Sequence, residues 1–237
     1  VEHGDFLVLC ARAQQIPGVL REIGRLRELT FRAVNEGTGK CIDLDRFDNY
    51  YLHLFTWNRA TREIIGGYRL VDANLIRKTM GVKGLYTHTL FAYNDALLRQ
   101  MGHTLELGRS FVRLEYQRNF NSLHLLWKGI AQYAVRNPKY HGFFGTVSIS
   151  SDYDVVSRYL MVSFLRENKY IPELGRLIRA RNPMRTTSLR GVDAQTASVV
   201  VKDITDVSEL IAEIEAKHKS IPILLRQYLK LDGKLLG

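Results

Sequence analysis

The chain has 237 residues, 46% of them hydrophobic, and a formal net charge of +10, which suits one large domain, or one with a small appendage, around an ordinary globular core. No apolar run approaches the ~18–20 residues that cross a bilayer. Glu2 and Asp5 stand where a signal peptide needs positive charge.

Asp5 to Ala13 alternates in a β-like way. Pro17 suits the first turn of a helix, and Val19, Leu20, Ile23, Leu26, Leu29 and Ala33 continue it at helical spacing to about Glu36-Gly37. Gly37-Thr-Gly-Lys40 reads as a flexible loop; it lacks the upstream Gly and following Ser/Thr of a phosphate-binding P-loop. Tyr50–Trp57 and Ile64–Val71 read as two strands of a hairpin across the polar turn 58–63. Short helices are predicted for Asp72–Thr79 and within Tyr93–Met101, the second stopped by Gly102.

A strand over 106–116 leads through the polar loop Gln117-Arg-Asn-Phe-Asn-Ser122 into an amphipathic helix over 122–136, with Asn121 or Ser122 as its cap. Phe143–Ser150 reads as a buried apolar strand, and Asp152 or Asp154 caps a helix running to Glu167. Residues 176–190 hold five Arg and no acid and read as a basic loop. Ser198–Lys202 is a predicted strand, followed by helices over 206–219 and 222–230. The order implies an α/β (α+β) fold with a mixed central sheet flanked by helices. Residues 1–175 form the core in this reading, and 176–237 complete the same domain. Val1 and the closing Leu231-Asp-Gly-Lys-Leu-Leu-Gly237 suggest a piece of something longer.

Cys10 and Cys41 stand in no CxxC or Cys/His cluster and are expected to be buried, reduced thiols of a cytoplasmic protein. The seven His show no HxH or HExxH spacing, so no metal site is expected. There is also no GxSxG elbow. The positive charge is spread along the chain, which ranks a nucleic-acid or anionic-membrane binding module below an enzyme.

Several residues suit acyl-transfer chemistry. A strand–polar loop–helix unit aims free N–H groups and the helix dipole at an anion above the loop, a place for the phosphate of a carrier arm. The acidic segment Asp43-Leu-Asp-Arg-Phe-Asp48 precedes the first hairpin strand and reads either as a general-base site or as a solvated loop. Arg69, on a half-buried strand position, needs a partner such as Asp45, Asp48 or Glu106. Glu106 and Arg109 fall on opposite strand faces unless a bulge intervenes, for which Gly108 is the natural position.

Taken together, Leu26-Arg-Glu-Leu-Thr-Phe31, Asp45-Arg-Phe-Asp48, Gly67-Tyr-Arg-Leu70, Glu106-Leu-Gly-Arg-Ser110, and Leu125-Leu-Trp-Lys-Gly129 with Phe144-Gly-Thr-Val-Ser148 resemble the acyl-carrier branch of the GCN5-related N-acyltransferase (GNAT) superfamily. The likeness is to ornithine-lipid N-acyltransferases and hemolysin-like acyltransferase domains, and more distantly to acyl-homoserine-lactone autoinducer synthases. It covers most of residues 20–170. Arg27, Phe31, Asp45, Asp48, Arg69, Glu106 and Arg109 match the positions that the autoinducer synthases keep, while the Trp that usually follows the Phe is absent.

The resemblance implies a central sheet with a splayed strand pair, at 106–115 and 143–150. The acyl donor is a phosphopantetheine-linked cosubstrate, acyl carrier protein or CoA, with no tightly bound cofactor. The loop lacks the glycines that let acetyl-CoA members approach a pyrophosphate, which favours the carrier protein. The pantetheine amide is expected at Val112, Arg113 and Leu114, and the phosphate at Arg118, Asn119, Asn121 and Ser122. Arg27 and Phe31 are expected to bind the acceptor. Glu106, Asp45, Asp48, Arg69 and Arg109 form the implied catalytic group, with Glu106 or one of the two aspartates as base. The implied reaction moves a fatty or 3-hydroxy fatty acyl group to the amine of an amino acid or lipid precursor in the cytoplasm. An acetyl-CoA-dependent acetyltransferase is the alternative. The acidic carrier is expected to be steered by the 176–190 arginines and by Arg113 or Arg118, with an anionic membrane as an allowed peripheral contact.

Overall fold

The computed structural model describes residues 1–117, 120–184, 204–215 and 220–237, with the backbone alone at 120, 121 and 204. The chain forms two compact units, one from 1–89 and 98–146, the other from 90–97 and 147–237.

The first unit is built on a six-stranded sheet of β1 (Glu2–His3), β2 (Phe6–Arg12), β3 (Leu52–Asn58), β4 (Glu63–Asp72), β6 (Thr104–Val112) and β7 (Gly142–Gly145), in that spatial order. Every pairing is antiparallel except β6 with β7, which is parallel. Side chains alternate between the two faces of a strand, and β3 shows why both faces are covered. Its Leu54 joins a cluster with Tyr68, Leu70, Leu105, Leu126 and Ile130, whereas Phe55 joins Ile23, Leu26, Ile64 and Phe111. Helix α1 (Pro17–Arg32) packs through Ile23 and Leu26 on the second face, and α5 (Phe120–Arg136) through Leu126 and Ile130 on the first. Gly129 lets α5 lie close, since a Cβ there would stand 2.4 Å from Val8 Cγ1.

The β4–β6 pairing slips between Gly67 and Arg69, with Arg69 opposite Gly108 and Gly67 opposite Phe111. Arg109 and Ser110 thus oppose the single residue Tyr68. The consequence is visible in the core: Leu105 and Phe111 are both odd-numbered, yet they belong to the clusters on opposite faces. One extra residue has reversed the alternation. Arg109 carries the bend at φ 51°, in the left-handed region that a non-glycine rarely adopts.

Helices α2 (Ala73–Met80) and α3 (Thr87–Leu90) follow the hairpin, then β5 (Phe91–Tyr93) and α4 (Asp95–Met101), which ends at Gly102 with φ 69°. In the second unit α6 (Val155–Lys169), capped by Asp154, packs Met161, Phe164 and Leu165 against Val207 and Ile211 of α8 (Ile204–Ile214) and Leu225 of α9 (Ile223–Lys230). A short α7 (Pro172–Gly175) leads to β8 (Ile178–Ala180), which pairs with β5, and Leu235 bridges to Tyr170.

Several expectations change. After Thr146 the chain passes into the second unit, where α6 buries its apolar stripe against α8 and α9. The helix expected to reach Glu36 stops at Arg32, and the strand expected over 106–116 ends at Val112, before a 3-10 turn at Leu114–Tyr116. The strand expected over Phe143–Ser150 is only Gly142–Gly145, and Phe143 is 49% exposed rather than buried. Both cysteines are exposed, not buried. Part of the basic stretch is strand β8. Its residues 185–190, the strand expected over Ser198–Lys202 and residues 216–219 of the predicted helix lie outside the described residues. No described helix is long and apolar enough to cross a membrane.

Candidate active site

The segment between α1 and β3 brings three carboxylates to the α1 face of the sheet. Asp45 caps a 3-10 turn, Arg46–Asn49, by accepting from the Phe47 amide, and Asp48 returns to accept from the Asp45 amide. This reciprocal box turns both side chains inward.

Three arginines from three elements meet them. Arg27, on α1, places Nε 3.1 Å from Asp43 Oδ2 and Nη1 2.8 Å from Asp48 Oδ1. Arg69, on β4, places Nη1 2.6 Å from Asp45 Oδ1 and 3.1 Å from Asp48 Oδ1. Arg109, turned to this face by the bulge, lies 3.4 Å from Asp43 through Nε and 3.6 Å from Asp45 through Nη2. Burial pushes the Asp48 carboxyl up, but the charges of Arg27 and Arg69 and the Asp45 amide outweigh it and hold its pKa below the usual range.

Aromatic rings close the cluster. The Arg69 guanidinium carbon stands 4.9 Å from the ring centre of Tyr51, 5.2 Å from that of Tyr86 and 5.6 Å from that of Phe47. That of Arg109 stands 4.8 Å from Tyr86 and 6.0 Å from Phe31. Tyr86 thus lies between two cations, with its hydroxyl 3.3 Å from Arg109 Nη1. Glu106 is fully buried beneath it. Its carboxylate accepts from the Tyr51 hydroxyl, from the Tyr86 amide at 3.2 Å and from the Thr87 amide at 2.6 Å. Burial raises its pKa, and these donors oppose the rise without cancelling it. Glu106 therefore ties the Tyr86–Thr87 segment to β6.

Exposure separates these groups. The side chains of Arg27, Asp43, Asp48 and Arg69 are 1–2% exposed, whereas Asp45 is 25% and Arg109 23% exposed. Only the Asp45–Arg109 edge of this ion network meets solvent.

The expected donor groove lies along β6. Strand β7 pairs with it from Thr104↔Gly142 to Leu107↔Gly145 and stops. Among the described residues no strand takes up that edge beyond Leu107. The split falls at Gly145, where a Cβ would stand 2.2 Å from the Leu107 carbonyl oxygen. A strand edge left open in this way offers backbone groups to an extended amide-bearing ligand.

The expected carrier-binding residues are only partly assembled. Val112 ends β6, and its carbonyl accepts from Gln117 Nε2 at 3.0 Å. The Arg113 amide donates to Ile65 at 2.8 Å, so it is not available to a pantetheine amide. The Arg113 guanidinium is held by Glu63 at 3.0 Å and Glu115 at 3.2 Å, which weakens its expected role in steering an acidic partner. Leu114 is exposed. Ser122 is buried inside the first turn of α5 rather than capping it, because the helix begins at Phe120. Asn121 contributes its backbone to that turn; Arg118 and Asn119 lie outside the described residues.

The loop Gly37–Lys40 has its own reason for not binding phosphate. The Thr38 and Gly39 amides donate to the Glu28 carboxylate at 2.9 and 3.0 Å. Its anion is already present, supplied by α1.

Tyr51, Tyr86 and Phe47 had no signal in the sequence that set them apart from the other aromatics. Asp43 stood in the acidic segment, but nothing showed that it would be the carboxylate shared by Arg27 and Arg109.

Residues 26–128 match the family model described as Acetyltransferase (GNAT) domain. A glycine N(alpha)-acyltransferase of Bacteroides thetaiotaomicron is 35% identical over 92% of this chain and 67% of its own length. One of Phocaeicola vulgatus is 33% identical over 97% of this chain and 72% of its own. An L-ornithine N(alpha)-acyltransferase of Rhizobium meliloti is 30% identical over 60% of this chain and 48% of its own. With these relatives, and with the bulged central strand and the mixed sheet, the chain belongs to the GCN5-related N-acyltransferase superfamily and is an N-acyltransferase.

Proposed function

We propose that the protein transfers a fatty acyl group from a phosphopantetheine thioester, carried by acyl carrier protein, to the α-amine of glycine. The observation that carries the reading is the accessible Asp45–Arg109 edge: an acid and a base, each about a quarter exposed, on an otherwise sealed network. An amino acid is the acceptor class that bears both complementary charges. The glycine N(alpha)-acyltransferases among its relatives support glycine, and the L-ornithine N(alpha)-acyltransferase makes ornithine the comparison substrate.

In this reading the thioester lies along the open edge of β6 beyond Leu107. The unprotonated amine attacks the carbonyl carbon, the C–N bond forms, and the thiolate leaves with the electron pair of the C–S bond. The first proton of the bound ammonium passes to Asp45, directly or through water, before the attack, and the second is taken up by the leaving thiolate, which becomes the free thiol. Glu106 does not reach the amine; it holds the Tyr86–Thr87 segment through its two amides. The protein's contribution is positioning and charge complementarity in a site already arranged for the transition state. The reaction takes place in the cytoplasm.

The test is to incubate the protein with 3-hydroxyacyl carrier protein, long-chain acyl-CoA or acetyl-CoA, each with glycine or ornithine. Free thiol and N-acyl product are followed by mass. N-acylglycine formed from the carrier protein is expected. Product from acetyl-CoA alone would move the chain to the acetyltransferases, and ornithine used in preference to glycine would change the acceptor.

A further inference from the structure

The structure assigns the small cavity between Arg27, Arg69 and Arg109 as the seat of the acceptor's α-carboxylate. This assignment rests on the amino-acid N-acyltransferase reading above and adds to it the group by which the acceptor is recognised.

The cavity is lined by Arg27, His53, Arg69 and Arg109, with Ile23 and Phe111 among its apolar walls. No carboxylate lines it. The three arginines spend their short ion pairs on Asp43, Asp45 and Asp48 and keep other donors unspent. Arg27 Nη2 and Arg69 Nε and Nη2 are buried and have no hydrogen-bond partner, and Arg109 Nε faces Asp43 without forming a hydrogen bond. Guanidinium N–H groups buried without acceptors cost free energy. Arginines that line one hollow and keep such groups unspent suit an acceptor-rich guest.

Donor chemistry and size narrow the guest to a small group rich in hydrogen-bond acceptors. His53 contributes no positive charge near neutral pH, because burial lowers its pKa, and its Nε2 meets the Asp48 carbonyl at 2.9 Å. The arginine charges are matched by Asp43, Asp45 and Asp48, none of which lines the hollow, so what the hollow offers a guest is N–H donors rather than a net charge. The free space is about that of a single water molecule, too little for a tetrahedral phosphate or a whole carboxylate but enough for one carboxylate oxygen that reaches in past Arg109. Planar two-point pairing is the geometry in which guanidinium and carboxylate match best.

The backbone at Arg109 supplies an independent reason. Without the bulge this side chain would project to the α5 face with Leu105 and Leu107. The left-handed φ of 51° brings it to the cavity instead. Such strain persists where the surrounding structure imposes it, commonly at functional sites. Asp45 Oδ2 lies 3.6 Å from Arg109 Nη2, so a molecule whose carboxylate enters between the arginines presents an α-amine to Asp45. The two ends of one small amino acid meet the two accessible charges.

The experiment compares glycine with glycinamide, which keeps the amine and loses the carboxylate, under one acyl donor. The wild type is expected to favour glycine by roughly 100-fold or more in kcat/KM, since a site built to bond a charged group rejects its neutral analogue. Glycolate, which keeps the carboxylate and lacks the amine, is expected to compete with glycine. Arg109→Gln is expected to raise KM for glycine by roughly 100-fold and that for glycinamide by far less, and Arg109→Lys to recover part of the loss. Equal use of glycine and glycinamide by the wild type, or a uniform loss for both in Arg109→Gln, overturns the assignment and leaves the cavity as a hydrated gap. Acylation of neither by any donor sinks the functional reading itself, a result distinct from acylation of both alike.

Discussion

Arg27 and Arg109 both pair with the same oxygen of Asp43, in different settings. Arg27 is 1% exposed and makes short ion pairs to Asp43 and Asp48 at 3.1 and 2.8 Å. Arg109 is 23% exposed, and its ion pairs are longer, 3.4 and 3.6 Å. The first arginine lies on a regular helix and the second on a bulged strand with a left-handed backbone. The sealed half of the network gives up solvent for stable partners; the open half keeps, at Arg109, a charge held only by long pairs. Residue type alone does not separate the sealed charges from the reachable ones here; burial and backbone geometry do.

The sharpest way to break that contrast is to remove a sealed charge. Arg27→Met leaves Asp48 with one arginine and Asp43 with only the long pair to Arg109, and is expected to cost about 3–5 kcal/mol of unfolding free energy, read by urea denaturation. A loss below about 1 kcal/mol, the range of a surface pair, would erase the distinction.

Asp45→Asn tests the open half. Asparagine can still cap the 3-10 turn but cannot take a proton. Turnover is expected to fall about 100-fold or more, with a stability loss of about 1–3 kcal/mol because the pair to buried Arg69 is weakened as well. If unfolding accounts for the lost rate, Asp45 belongs to the scaffold.

Glu106→Gln asks whether this buried acid is a base or a tie. A tie predicts a stability loss of about 1–3 kcal/mol, because an amide cannot accept from all three donors, with less effect on turnover than Asp45→Asn. The reverse pattern would return the base role to Glu106. Its pH signature has a defined sign. Its folded-state pKa lies above 4.5, so the native state binds the extra proton and its contribution to stability declines as pH rises from 4.5 through the raised value. Asp48 behaves oppositely: its pKa lies below 3.8, so its contribution is full above 3.8 and is lost as pH falls through the lowered value. Stability measured against pH should lose the first slope in Glu106→Gln and the second in Asp48→Asn.

The smallest expected effect is at the split between β6 and β7. In Gly145→Ala the new methyl meets the Leu107 carbonyl oxygen at 2.2 Å, so the last pair of the parallel ladder must shift, at about 1–2 kcal/mol. KM for the acyl donor should rise while KM for the amine stays constant. Unchanged donor affinity would separate the open β6 edge from donor binding.

Much of the fold could be read from the chain because local pattern and tertiary demand agree. Pro17 and the apolar spacing through Leu26 marked α1, the polar turn at 58–63 marked the hairpin, and Gly102 marked the end of α4. The charged residues of the site were also legible as a set, since buried Arg and Asp must come paired. Which of them would be sealed and which reachable was not. Gly108 drew attention as the flexible position, yet the left-handed bend settled on Arg109, because the β4–β6 register and the core positions of Leu105 and Phe111 place the extra residue there. Tyr51 and Tyr86 became part of the site only when β3 and the segment before α3 converged on Glu106. Spacing along a chain records periodicity, which is local. Which charge is sealed and which is reachable depends on register and on contacts between residues far apart in sequence, and these exist only once the sheet has closed around them.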